Sequence, residues 1–111
     1  IKVVNDRYSQ PLLAEDCAKV IWKIVEKDET GIYHVSGADR VTLFDFAVKT
    51  AEVFGLDKKL IQPVPSSSFP SIAPRPVDTS FLTDKIKRKL NVYPRGIEAG
   101  LQRMMAVKLN S

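Results

Sequence analysis

The sequence predicts an α/β domain with few short strands, about four helices and a sheet that the chain does not complete by itself. Three observations carry this. Short apolar strands alternate with amphipathic helices through the first half of the chain, the order expected of α/β architecture. The strands are too few and too short to build a covered parallel sheet alone. Two further helical segments follow a proline-rich loop without bringing a new strand.

The elements follow in order. Lys2-Val3-Val4 reads as a strand and Asn5–Pro11 as a turn. A helix is predicted over about Ala14–Lys27, because Cys17, Val20, Ile21, Ile24 and Val25 recur at helical spacing while Glu15, Lys19, Lys23 and Glu26 fall mostly opposite. Trp22 lies off that apolar face and suggests packing against a part outside this chain. Asp28–Gly31 ends the helix. Ile32-Tyr33-His34-Val35, closed by Ser36-Gly37, is apolar on both faces, like a buried strand of a parallel sheet.

Thr42 and Asp45 form a capping-box pair that starts the second helix. Leu43, Phe46, Ala47, Val48, Ala51 and Phe54 supply its apolar face, and Gly55 stops it. A strand around Leu60–Val64 runs into Pro63–Pro76, which holds five prolines and four serines and is expected to be an ordered loop. A short basic helix over Asp84–Leu90, capped by Thr83, precedes a last helix that starts at Pro94 and reaches about Lys108. Met104 and Met105 on it are read as packing residues.

Composition narrows the function classes. A length of 111 residues suits one domain, and 44% hydrophobic with 27% charged residues is ordinary for a soluble globular chain. No apolar run approaches the roughly 18–20 residues of a membrane span, and no signal peptide opens the sequence. A cytoplasmic protein with no membrane partner is expected. The chain opens at Ile1 and enters a strand at once, so it reads as a piece whose remaining strands lie upstream. Cys17 is the one cysteine and His34 the one histidine, which excludes an internal disulfide and a Cys/His zinc cluster; Cys17 is expected as a buried thiol. No metal site is expected. Residues 75–111 hold 8 basic against 3 acidic residues, and the first 74 hold 9 against 10. Lys85, Lys87, Arg88 and Lys89 lack interleaved aromatics, so a solvated helix face is favoured over a nucleic-acid site.

Three segments in the same order resemble one family. Val4-Asn5-Asp6-Arg7-Tyr8-Ser9-Gln10-Pro11 followed by Ala14-Glu15-Asp16-Cys17-Ala18 is similar to a D-Q-x-G-x-P-T turn and an A-x-D-L-A helix start. Gly31–Gly37 with Thr42–Ala47 resembles a G-x-Y-H-x-x-G strand and its following helix. Ala73-Pro74-Arg75-Pro76, with Leu82, Lys85 and Leu90, resembles an A-x-R-P segment before a last helix. Together they resemble the dTDP-4-dehydrorhamnose reductases (RmlD-like) of the extended short-chain dehydrogenase/reductases. Leu12, Ser9 and Asn91 depart from the family's usual threonine, glycine and glycine.

The resemblance implies that residues 1–111 are the C-terminal substrate-binding portion of a Rossmann-type enzyme of dTDP-rhamnose biosynthesis. NADPH or NADH would be bound by an N-terminal Rossmann domain that is absent here, and the isolated piece would be inactive. The residues agree: the five glycines form no G-x-x-G-x-x-G loop, and Tyr8, Tyr33 and Tyr93 head no Tyr-x-x-x-Lys pair. No catalytic and no cofactor-binding residue is expected in this chain. Partners are the nucleotide sugar, the Rossmann domain and, as a candidate, a second copy. Asp6-Arg7-Tyr8 is also reminiscent of the regulatory subunit of methionine adenosyltransferase, which keeps a non-catalytic regulatory protein as the alternative; a small basic nucleic-acid-binding module is the third reading.

Arg75 is the leading substrate-binding candidate. Pro74 and Pro76 restrict its backbone, and its planar fork of donors suits a diphosphate; the competing reading pairs it with Asp78 or a helix end. Ser9, Gln10 and Pro11 end the first strand region, where open α/β sheets gather ligands, or else form an ordinary turn. Asp16 is read as a charge serving its helix N-terminus. His34 is read as a neutral histidine hydrogen-bonded in or near the core.

Overall fold

The computed structural model describes residues 1–70 and 73–109. β1 (Lys2–Val4) runs parallel to β4 (Gln62–Val64), with Val3 beside Pro63. Pro63 has no N–H for a ladder, and a strand with one paired side tolerates that. β2 (Tyr8–Ser9) and β3 (Val41–Thr42) form a second, antiparallel pair, and a single bridge joins Tyr8 to Asp78. Four helices complete the frame: α1 (Ala14–Glu26), α2 (Leu43–Phe54), α3 (Asp84–Leu90) and α4 (Ile97–Leu109).

α2 forms as the sequence predicts. Thr42 Oγ1 accepts from the Asp45 amide at 3.0 Å, and the Asp45 carboxylate accepts from the Thr42 amide at 3.2 Å. Gly55 closes the helix at φ 68°, a left-handed value that glycine takes without steric cost. The helix buries Ala51 and lies against α4 and β1. On the other side, Val20 of α1 meets Ile86 and Leu90 of α3, with Ile24, Tyr33, Val35 and Val92 packed around them.

Several expectations are corrected. Ile32–Val35 joins no ladder, because no strand among the described residues lies alongside to pair with it. It keeps a strand-like alternation: Tyr33 and Val35 face the core, while Ile32 and His34 are exposed. Cys17 is half-buried, not enclosed. Thr83 sits at the start of α3 but its side chain makes no capping bond. Pro94 lies outside α4; Asp39, far away in sequence, caps that helix by accepting from the Ile97 amide at 2.8 Å. Met104 is exposed and Met105 half-buried, so Leu101 is the residue by which α4 enters the core. Asn91 closes α3 at φ 54°, a conformation asparagine adopts more readily than most residues.

Asp16 does more than face a helix dipole. Nearly fully buried, it accepts from the Arg95 amide at 2.8 Å and from the Arg95 guanidinium at 2.9 Å. It thereby fastens the start of α1 to the segment leading into α4. Gly37 lies just as close to the opposite side of this crossing, with its amide toward the Gln10 carbonyl at 3.4 Å.

The molecule is a slab of 46 × 39 × 20 Å with a radius of gyration of 16.1 Å. A compact globule of this length has a radius near about 13 Å. Two glycines test the packing in opposite directions. A Cβ on Gly37 would sit 1.8 Å from the Pro11 carbonyl oxygen, backbone that cannot give way. Gly37→Ala is expected to lose about 1–3 kcal/mol. Gly100, inside α4, has its nearest obstacle at 3.8 Å, so Gly100→Ala should gain about 0.5–1 kcal/mol from helix propensity. Denaturant unfolding of both variants checks the opposite signs.

Candidate functional site

An open groove of about 850 Å³ lies beside β1, bordered by Val4, Arg7, Leu43, Ser66, Phe69 and Arg75. Its walls are built from the start of the chain, the first residue of α2 and the serine–proline loop. After β1 the chain turns at Asp6, whose carboxylate accepts from the Ser66 amide at 3.0 and 3.1 Å and from the Ser66 hydroxyl at 3.1 Å. That contact ties the serine–proline loop to the strand end. Arg7 donates to the Arg75 carbonyl and so draws the second half of the loop to the same place.

The Arg75 guanidinium is exposed at the groove rim and has no partner among the described residues. Its competing role is taken. Asp78 is held by Arg40, whose Nε and Nη2 each stand 2.9 Å from Oδ2. Arg40 also lies flat over the Tyr8 ring, 3.9 Å from its centroid. The Arg40 hydrogen bonds first, and those from Ser80 next, hold the Asp78 carboxyl at about 2, below the ordinary carboxylate range.

The other candidates lie elsewhere. Pro76 is exposed beside Arg75. Ser9 is held in the β2–β3 ladder opposite Val41. The Gln10 side chain accepts from the Phe81 amide, and its carbonyl faces the Gly37 amide. Gln10 borders a smaller pocket of about 190 Å³ with Ser36, Phe81, Thr83 and Lys87. Pro11 borders a third hollow, against α4. The structure therefore does not gather Arg75 and the Ser9–Pro11 turn into one groove.

His34 is exposed and stacks on Phe81 with centroids 5.0 Å apart, correcting the core position expected for it. Lys85 donates to the Ile32 carbonyl at 2.6 Å and sits 4.3 Å from the Tyr33 ring centroid, so part of the basic run is structural. Sequence reasoning missed Asp6, Arg40 and Ser36. Asp6 and Arg40 act on partners 60 and 38 positions away, with no local pattern to reveal them. The buried Ser36 hydroxyl has no partner among the described residues. Among the same residues there is no cluster fit to hold a metal ion and no helix long and apolar enough to cross a membrane.

The α/β frame of four helices and short strands is the fold found in reductases of the extended short-chain dehydrogenase/reductase class. More narrowly, the chain belongs to the family described as the RmlD substrate binding domain, which matches residues 1–109. Among curated relatives, the dTDP-4-dehydrorhamnose reductase of Salmonella typhimurium is 30% identical over 95% of this chain and 38% of its own length. The dTDP-4-keto-6-deoxy-D-glucose reductase of Streptomyces niveus is 33% identical over 60% of the chain. The crystal structure of a Bacillus anthracis dTDP-4-dehydrorhamnose reductase in complex with NADP superposes with a TM-score of 0.88 at 26% identity, covering 96% of this chain and 38% of that one. A Clostridium acetobutylicum orthologue, 24% identical with a TM-score of 0.89, shares the fold. The chain thus spans a little over a third of the length of such relatives.

The Arg40–Asp78 pair has a defined pH signature. Because the folded-state value of Asp78 is depressed, its contribution is present above the ordinary carboxylate value and is lost as pH falls through about 2. Both side chains are solvated, which keeps the contribution small. Arg40→Ala should return Asp78 toward its ordinary value. The stability gap between the two proteins should be constant near neutrality and close between about pH 4 and pH 2. Carboxyl NMR titration and unfolding at each pH measure both effects.

Proposed function

We propose that this chain is the substrate-binding part of an NAD(P)H-dependent reductase acting on a 4-keto nucleotide sugar, with reduction of dTDP-4-dehydrorhamnose to dTDP-rhamnose as the reaction of the longer polypeptide. The observation that carries this reading is the Arg75 guanidinium on the rim of the groove, which has no partner among the described residues. A planar fork of donors matches diphosphate oxygens. Phe69 and Leu43 offer apolar surface next to it for the base or sugar. Pro76 stiffens the arginine's backbone. Ser9, Gln10 and Pro11 lie outside this groove and are assigned no contact in it.

The nicotinamide cofactor does not fit this chain's own residues. No glycine-rich loop opens a helix here, and no tyrosine precedes a lysine by four positions. NADPH or NADH therefore belongs to an upstream Rossmann domain, no hydride or proton step is assigned to any of these residues, and the piece alone is inactive. The unpaired segment supports that division. From Ile32 to Ser36 no backbone amide donates a hydrogen bond among the described residues, and one carbonyl, that of Ile32, accepts from Lys85. Backbone groups of a part-buried segment rarely remain unpaired, so a strand of the upstream domain is the fitting neighbour.

Two measurements on the longer polypeptide test these statements. Arg75→Ala should raise KM for the nucleotide sugar by about 10- to 100-fold, the loss of a charge-assisted hydrogen bond, with kcat much less affected; an unchanged kcat/KM removes Arg75 from the site. Hydrogen exchange at the amides of residues 32–36 should be fast in the 111-residue chain and slowed at least about a hundredfold in the longer protein. Equal exchange in both would reject the strand addition.

A further inference from the structure

From the geometry around Asp78 we infer that Arg40 is a positioning residue for the groove: it clamps the 77–80 segment to β2 and so sets where Arg75 presents its guanidinium. This rests on the reading of Arg75 as the diphosphate contact and names the residue that regulates its placement.

The clamp is made of contacts on three sides of Arg40. Its Nε and Nη2 converge on one oxygen of Asp78, at 2.9 Å each. Its guanidinium face covers Tyr8 at 3.9 Å. Its backbone leads directly into Val41 of β3, the strand paired with β2. The loop answers with its own bonds to the same strand. The Tyr8 amide donates to the Val77 carbonyl at 2.8 Å, and the Tyr8 carbonyl accepts from the Thr79 amide at 3.0 Å and the Thr79 hydroxyl at 3.2 Å. Asp78 Oδ1 takes the Ser80 amide at 2.9 Å. The segment is thus bridged to β2 on both sides of Asp78, with Arg40 bound to Asp78 across it.

Immediately before that locked segment comes Pro76, and before it Arg75. With Pro74 and Pro76 fixing their own φ on either side, little backbone freedom separates the clamp from the Arg75 Cα, the point from which its side chain reaches the groove. Arg7 holds the Arg75 carbonyl from the other side. The Arg75 backbone is therefore already placed at the groove, which lowers the ordering cost of binding an anion there. A lysine at position 40 keeps charge toward Asp78 and loses both the fork and the flat stack on Tyr8.

A double-mutant cycle on the longer polypeptide tests this. Arg40→Ala is expected to raise KM for the nucleotide sugar about tenfold with a smaller change in kcat, Arg40→Lys to fall between it and the parent, and Asp78→Asn to follow Arg40→Ala. In an Arg75→Ala background the Arg40→Ala effect should shrink to less than about twofold, because the residue it positions is gone. Amide exchange at Thr79 and Ser80 should accelerate in Arg40→Ala, while amides in the middle of α2 keep their parent rates, which separates loosening of the loop from failure to fold. An Arg40→Ala effect that persists at full size without Arg75, or unchanged exchange at Thr79 and Ser80, overturns the clamp. If exchange rises as expected but Arg75→Ala leaves KM unaltered, the groove assignment fails while the loop anchor stands.

Discussion

A carboxylate nearly removed from water has to find compensating partners, and Asp16 finds two in one residue. Removing one member of a buried charge pair leaves the other uncompensated, at a cost of about 3–5 kcal/mol where burial is complete; Arg95 keeps 31% of its side chain exposed, which places this pair below that range. Its importance lies in what it crosses. Asp16 opens α1, Arg95 leads into α4, and the Arg95 carbonyl accepts from the Ala38 amide at 3.2 Å. Asp39 then caps α4, and a Cβ on Gly96 would come within 2.3 Å of that carboxylate. Three stretches far apart in sequence meet at this point. The chain leaves it through Arg40 and β3 toward the groove, so the placement of the clamp and of the α2 cap depends on it.

The rest of the molecule is thin. Three fully buried side chains, Val20, Ile86 and Leu90, make the densest part of the core. A slab 20 Å thick has room for about two layers of packed elements, with little interior between them. Ile21, Trp22, Val25 and Ile32 remain exposed, and the backbone of Ile32–Ser36 offers hydrogen-bonding groups with almost nothing to meet them. An exposed apolar residue by itself is common; a part-buried segment whose backbone has so few partners among the described residues is not. The groove beside β1 has the reverse character, with its loop tied down at Asp6, Tyr8 and Arg40 and one guanidinium, that of Arg75, without a partner among the described residues.

Much of this was legible in the residues. Local signals carried α1, α2 and α3, because their determinants lie within a few positions: the Thr42–Asp45 box, the Gly55 stop, the apolar period of α1 and the basic end of α3; the start of α4 is set by Asp39, 58 positions away. The strand at Ile32–Val35 was misjudged because apolar composition reports what a segment can pair with, while pairing itself requires a neighbour in space. The same limit applied to His34, which followed its strand outward onto Phe81. Arg75 was legible as a candidate because its two prolines are adjacent; its freedom from Asp78 was not, because that depends on Arg40 winning the carboxylate.

By itself the sequence determined the α/β class, the helix boundaries to within a turn, the family resemblance across the chain and the lack of a dinucleotide cradle among its residues. Those properties are short-range or compositional, and neighbouring residues suffice to encode them. Tertiary structure alone decided which arginine holds Asp78, why Asp16 is buried, and why Gln10 and Arg75 face different hollows. Charge pairing and burial are set by distances between residues tens of positions apart, and those distances exist only once the chain has folded.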